Sequence, residues 1–281
     1  MLNIFKEKFL QSHFYNKFLN KFFEVVIDLI APKCCYLCGI RLFNNENLCD
    51  NCKQKAILID QSNCCKKCGY PITNYNQTGN FLDKKVKKIC PSCNTEKRYF
   101  DRAYSVYQYK NIIRKTLMNL KFYFDIDAIS FIGIQMFKTY KKTIDKVDFI
   151  CIIPITNFKL FNKGYNHAGL IAKSFYEVLK KQNQQDNTKE TILYDLLVKT
   201  TKSVASKQLS QHERWLKKYN FKINSKYKTK EYIDSFTGKK FLIIDDIMTT
   251  GATLNVASKI IKDTFPKSKV YCLTFARTML Y

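Results

Sequence analysis

With 281 residues, 46% of them hydrophobic and 15% aromatic, the chain can bury a full α/β core and carry a small appended module, which excludes a disordered polypeptide. A formal net charge of +25, carried by 42 Lys and only 6 Arg, gives a surface that attracts nucleic acid or anionic lipid weakly and in a salt-dependent way. A solvated lysine-rich surface, of the kind an A+T-rich genome encodes, is the simpler reading of that charge. No apolar run approaches transmembrane length, and the N-terminal apolar residues are interrupted by Lys and Asn, so neither a membrane span nor a secretory leader is expected and a cytoplasmic location is.

Residues 1–31 place Phe5, Phe9, Phe14, Phe18, Phe22, Val26 and Ile30 at near-helical spacing among Lys6, Lys8, Lys17 and Lys21, which predicts an amphipathic helix stopped by Pro32. Packing on its own domain is the commoner fate of such a helix; contact of residues 1–30 with a membrane surface is the alternative.

Of the 12 cysteines, ten fall between Cys34 and Cys93. In a reducing compartment, clustered cysteines indicate metal before disulfides. They form four CxxC pairs: Cys35/Cys38, Cys49/Cys52, Cys65/Cys68 and Cys90/Cys93, the first and third followed by Gly39 and Gly69. Two pairs close one tetrahedron of thiolates about 2.3 Å from Zn²⁺, so four pairs predict two Cys₄ zinc ribbons over residues 32–100. Pairing in sequence order needs the shortest loops, while a cross-braced arrangement stays open. With every ligand position filled, such sites are structural. Cys34 and Cys64, each just before a pair, are spare thiols or alternative ligands.

From residue 101 onward strands and helices alternate. Arg102 to Tyr109 reads as a strand, Ile112 to Phe124 as a helix containing Lys121, and residues 126–143 as another helix. Asp148 to Pro154 is a buried-strand candidate, Ala168 to Leu179 a helix, 181–190 a polar loop, and Leu193 to Val198 a strand. Residues 200–236 are polar and lysine-rich and predict a mobile excursion. Lys269 to Ala276 is a last strand. The alternation argues for a parallel sheet flanked by helices, with a ligand at its carboxyl edge.

The most informative stretch is Phe241 to Thr253, FLIIDDIMTTGAT. Four apolar residues suit a buried strand, Asp245 and Asp246 close it, and Thr249, Thr250, Gly251, Ala252 and Thr253 form a hydroxyl- and glycine-rich turn into a helix. Glycine lets the backbone approach an anion, the threonines donate, and the helix N-terminus adds unpaired N–H groups. Carboxylates beside such a cradle make sense when the ligand also offers a diol or carries Mg²⁺. The stretch therefore reads as a ribose 5′-phosphate site.

The DDxxTTGxT string resembles the phosphoribosyl-diphosphate (PRPP) motif of type I phosphoribosyltransferases. Together with LMNLKF, KGYNHAGLIA, the ending YCLTFARTML and the preceding cysteine module, it resembles the ComF/GntX-like branch of that family from about Pro32 onward. The resemblance implies a type I phosphoribosyltransferase fold over residues 101–281. It places Asp245 and Asp246 on the ribose hydroxyls and residues 249–253 around the 5′-phosphate. Pro154, Ile155 and Thr156 become the pyrophosphate loop, and Lys121 and Lys163 its cationic partners. Lys163 stands where the family has arginine, losing the planar fork, and His167 stands where it has glutamine. His167 is a hypothetical acid/base or phosphate contact, with a structural role at the helix start preferred; His13 and His212 read as surface residues.

On that template Mg²⁺ and lysine would neutralise a departing diphosphate while 200–236 excludes water, and no nucleophile on the protein is required. One expectation is an enzyme transferring phosphoribosyl to an acceptor. The other is a non-catalytic PRPP- or nucleotide-binding accessory factor for single-stranded DNA import. The family's link to competence makes single-stranded DNA and DNA-uptake proteins the expected partners of either, with the zinc ribbons a weaker candidate for direct nucleic-acid contact.

Overall fold

The computed structural model describes residues 33–44, 46–72, 89–120, 125–144, 146–155, 165–186, 191–199 and 221–279. The predicted N-terminal helix lies outside them. The chain divides into two compact units, Met1–Lys55 and Ala56–Tyr281.

In the first unit the backbone folds back on itself around a cysteine turn. Cys35 N–H donates to Ile40 O at 2.8 Å and Gly39 N–H to Cys35 O at 2.8 Å, with Gly39 at φ 74°. That left-handed conformation is why glycine follows the pair. Helix α1, Asp50–Lys55, starts directly after Cys49 and buries Cys52.

The second unit opens with a repeat of the same device. Cys65 N–H donates to Tyr70 O at 2.8 Å, Gly69 N–H to Cys65 O at 2.9 Å, and Gly69 has φ 68°. Helix α2, Pro91–Thr95, follows Cys90 with proline in its first turn, where no N–H is missed.

Then come β1 (Arg102–Gln108), α3 (Asn111–Leu120), α4 (Ile126–Thr143), β2 (Phe149–Ile152), α5 (His167–Gln185), β3 (Ile192–Tyr194), β4 (Leu197–Lys199), β5 (Phe221–Ile223), α6 (Lys230–Phe236), β6 (Lys240–Met248), α7 (Ala252–Thr264) and β7 (Lys269–Arg277). Five strands form one sheet in the order β1-β7-β6-β2-β3, every pair parallel. Strands β4 and β5 pair antiparallel by themselves. The parallel strands read as apolar runs because both of their faces are covered. On one face α4 and α5 pack together, with Phe131 of α4 edge-on to Phe275 of β7. The other alternate residues, among them Phe241, Ile243, Val270 and Cys272, enter a core with Leu254, Ile261, Phe236, Cys65, Cys68 and Phe100.

The second cysteine turn is therefore part of the α/β core, and it also covers the outer edge of β1. Ile59 N–H donates to Val106 O at 2.9 Å, Gln108 N–H to Ile57 O at 2.9 Å, and Ala103 N–H to Lys67 O at 2.9 Å. An edge strand that would otherwise present bare N–H and C=O groups is closed by the ribbon. The fit leaves no room at Gly69, where an added Cβ would stand 2.5 Å from Ala103 O.

Three expectations need correction. Residues 221–236 of the predicted excursion are built into the protein: β5, a 3₁₀ turn and α6 contribute Ile223, Tyr227 and Phe236 to the core. The aromatic residues spaced through that lysine-rich stretch supply the apolar area. The predicted polar loop from 181 is helical through Gln185, since Lys and Gln are good helix formers even without an apolar stripe. The single strand expected over 193–198 is two strands, β3 and β4, parted at Asp195-Leu196, with Leu196 fully buried. Residues 200–220 lie outside the described residues.

The Phe236 ring lies tilted against Phe149 at a centroid distance of 4.4 Å and edge-on to Phe265 at 5.2 Å. Phe236→Ala should cost about 3–5 kcal/mol in denaturant unfolding, where a residue of a mobile lid would cost almost nothing.

Candidate metal centres and anion-binding crevice

The sulfurs of Cys35, Cys38, Cys49 and Cys52 lie within 4.8 Å of one another, as do those of Cys65, Cys68, Cys90 and Cys93. Cys38 and Cys49 sulfurs are 3.8 Å apart and those of Cys68 and Cys90 3.5 Å apart. Four thiolates on one Zn²⁺ with bonds near 2.3 Å would be about 3.8 Å apart, so both groups suit tetrahedral zinc. Pairing follows sequence order. In each group the N–H of the third cysteine donates to the first sulfur, Cys49 to Cys35 at 3.4 Å and Cys90 to Cys65 at 3.3 Å. Burial works against the Cys35 thiolate, but the backbone N–H groups of Cys49, Leu37 and Cys38 draw it down to about 7. Hydrogen bonds from Cys68, Cys90 and Cys93 hold Cys65 far below the ordinary thiol range.

Cys34 and Cys64 stand outside both groups. Cys64 donates to Asp60 O at 2.9 Å, and burial pushes its thiol up to about 11, the behaviour of a spare thiol rather than a ligand. The two groups are consistent with two structural zinc sites.

The sheet order locates the second site. β2 connects through α5 to β3 on one side, and β6 connects through α7 to β7 on the other. The chain thus leaves the carboxyl ends of adjacent strands β2 and β6 in opposite directions, which opens a crevice between them. Pairing of these strands ends at Ile152 with Ile244. Asp245, Asp246, Pro154 and Ile155 are the residues just beyond, all half-buried.

Strand β6 does not stop at the aspartates, as the sequence suggests, but runs to Met248, because β7 continues beside it as far as Arg277. Asp245 Oδ1 accepts from Asp246 N–H at 2.9 Å and Asp246 Oδ1 from Ile247 N–H at 2.7 Å, so each carboxylate is braced by the following backbone. Thr249 and Thr250 are exposed, and Thr250 Oγ1 accepts from Ala252 N–H at 3.3 Å. Gly251 caps α7 at φ 79°, a left-handed position that other residues adopt only with strain. Thr253 lies half-buried in the first turn of α7.

Across the crevice, Asn166 Nδ2 donates to Ile153 O at 3.1 Å, fixing the start of α5 to the end of β2. Tyr165 Oη donates to Leu120 O at 3.1 Å, which brings in the end of α3. His167 is the first residue of α5, its ring 4.8 Å from that of Tyr165. Lys121, Thr156 and Lys163 lie outside the described residues.

Three supporting residues escaped the sequence reading. Asn255 of α7 accepts from Tyr99 N–H at 2.5 Å and donates to Lys97 O at 2.9 Å, clipping the ribbon exit to the helix behind the turn. Met248 and Arg277 close the ends of their strands side by side. The only advance signal was a polar residue on an apolar helix face and a cation ending an apolar strand.

The fold and sites define a parallel α/β protein with an N-terminal double zinc ribbon. Residues 26–94 match the family of the double zinc ribbon domain. The chain is similar to the Competence protein ComFC of Bacillus subtilis (strain 168), 22% identical over 246 residues, covering 83% of this chain and 85% of that protein. These matches support a ComF-like family. Among the described residues no helix is long and apolar enough to cross a membrane.

Purified protein should carry two zinc ions per chain by atomic absorption. Cys52→Ser should lose one and leave the melting of the α/β unit unchanged. Cys68→Ser should lose one and lower that melting temperature by more than about 5 °C, because its group is part of the core.

Proposed function

We propose that the chain is a PRPP-binding, phosphoribosyltransferase-like protein that transfers phosphoribosyl to an acceptor in a competence-related role. The observation that carries this reading is the meeting of braced carboxylates and a left-handed glycine turn at the crevice where β2 and β6 diverge. The turn suits a phosphate: exposed threonine hydroxyls and the first N–H groups of α7 converge there. Asp245 and Asp246 suit the diol of a ribose, accepting from both hydroxyls. Pro154, Ile155 and Thr156, with Lys121 and Lys163, would take the diphosphate.

Hard carboxylate oxygens at this position also fit Mg²⁺, which would supply charge neutralisation of the diphosphate when bound. The chain's own part is positioning: holding the sugar so that the acceptor meets C1 in line with the departing pyrophosphate, and excluding water. Asp245→Asn combined with Asp246→Asn should weaken PRPP binding at least about tenfold by calorimetry while the circular dichroism stays native. Unfolding of that variant would make the pair structural instead. Incubation with PRPP, Mg²⁺ and a panel of bases and amines should release pyrophosphate. PRPP binding without release across the panel would leave the accessory, non-catalytic role.

A second observation favours single-stranded DNA as a partner of either role. In the first unit Phe43 is 91% exposed, with the Arg41 guanidinium 5.4 Å from its ring centre and Ile40 58% exposed nearby in sequence. An exposed ring beside a cation is the platform on which unpaired bases stack. Phe43→Ala should weaken binding of a single-stranded oligonucleotide by about tenfold, on top of a steep salt dependence. No binding at low salt would remove this partner.

A further inference from the structure

Arg277, the last residue of β7, is 3% exposed. Burying a guanidinium is costly without an anion to meet it. What it meets is the second cysteine group: Nη1 donates to Cys68 O at 2.5 Å, Nη2 reaches Cys68 Sγ at 3.7 Å, and the guanidinium carbon lies 5.0 Å from the centre of the Tyr70 ring. Its Nε is buried without a hydrogen-bond partner. Four thiolates around one Zn²⁺ carry a formal charge of about −2, and that charge is the natural complement of a buried cation in contact with one of the sulfurs.

The same Nη1 lies 3.2 Å from Met248 Sδ. Met248 is itself buried, its backbone pairs with Arg277, and its carbonyl accepts from Thr278 N–H at 3.0 Å. Met248 is also the floor of the phosphate turn. Its methyl lies 2.4 Å from where a Cβ on Gly251 would stand, so the methionine and the left-handed glycine are packed on each other. Cys68, Arg277, Met248 and Gly251 thus form one continuous line of contacts from the metal group to the start of α7.

We propose that Arg277 is a positioning residue that joins the second cysteine group to the phosphate turn: its charge balances the loaded tetrathiolate, and its contact with Met248 seats the turn. The metal half of this inference stands by itself, and the turn half rests on the PRPP reading. Metal in the second group and ligand at the turn should then favour one another, by a coupling that is reciprocal.

The test follows zinc release from the full-length protein to a chromogenic chelator. In Arg277→Met one of the two ions per chain should leave about 10–100-fold faster, the range found when a residue supporting a metal ligand is removed, and the other at the wild-type rate. Arg277→Lys, which keeps the charge, should fall between, and serves if the methionine variant fails to fold. Release of both ions at wild-type rates from either folded variant would overturn the inference. In the unmutated protein, saturating PRPP with Mg²⁺ should slow release of the same ion, and Met248→Leu should abolish that effect while calorimetry still shows PRPP bound. If calorimetry shows PRPP bound and release unchanged, the coupling is wrong while the PRPP reading survives. If PRPP does not bind at all, the functional reading fails and the zinc-release rates of the Arg277 variants alone decide whether Arg277 balances the metal group.

Discussion

The molecule's functional geometry depends on one divergence: β2 and β6 run side by side to Ile152 and Ile244 and then send their chains to opposite sides of the sheet. A parallel sheet whose connections all turned the same way would have no gap at its carboxyl edge. Here the gap brings together the braced aspartates of β6, the glycine-capped start of α7, and the tethered start of α5. Each of those features is common alone. Their convergence at the place where this sheet order opens is what would let one ligand meet all of them.

The two cysteine turns show how one local device takes two roles. Both use the same backbone reversal, a left-handed glycine after the second cysteine and a helix started by the third. The first lies in its own compact unit. The second lines the sheet edge, sits in the hydrophobic core and meets Arg277. The difference follows from what flanks each turn. Residues 57–67 run along β1 and satisfy its outer backbone groups, so that ribbon is inseparable from the sheet.

Much of this was legible from the amino acids alone, because the strongest signals are local. The CxxC spacing predicted two groups and favoured pairing in sequence order without excluding a cross-braced one, and the structure shows the sequential pairing. Apolar runs of four to eight residues marked the core strands, and the DDxxTTGxT string marked a glycine turn at a strand–helix junction. What could not be read is set by partners distant in sequence. The continuation of β6 through Asp245 and Asp246 depends on β7, some thirty residues later, lying beside it. Phe236 looks like an isolated aromatic in a polar stretch until Phe149, Phe241 and Phe265 surround it. Arg277 reads as an ordinary cation after a strand until Cys68, more than two hundred positions earlier, is found against it.

The sign of charge in the crevice narrows the chemistry further. A strongly basic chain has no shortage of lysines to bind a bare phosphate, yet two acids occupy the strand end nearest the turn. Repulsion between those acids and a simple anion would weaken its binding. The arrangement becomes favourable only for a ligand that presents donors or a cation toward β6 and its anion toward α7, which means a molecule polarised along its length. A phosphorylated sugar is such a molecule. On the proposed reading, recognition depends on the spacing between acids and turn, and that spacing is set by backbone: the length of β6, the left-handed Gly251 and the methionine beneath it. Changes to that backbone frame should therefore matter as much as loss of any single charged group, and the buried contacts behind the turn belong to the site as fully as the side chains that face the ligand.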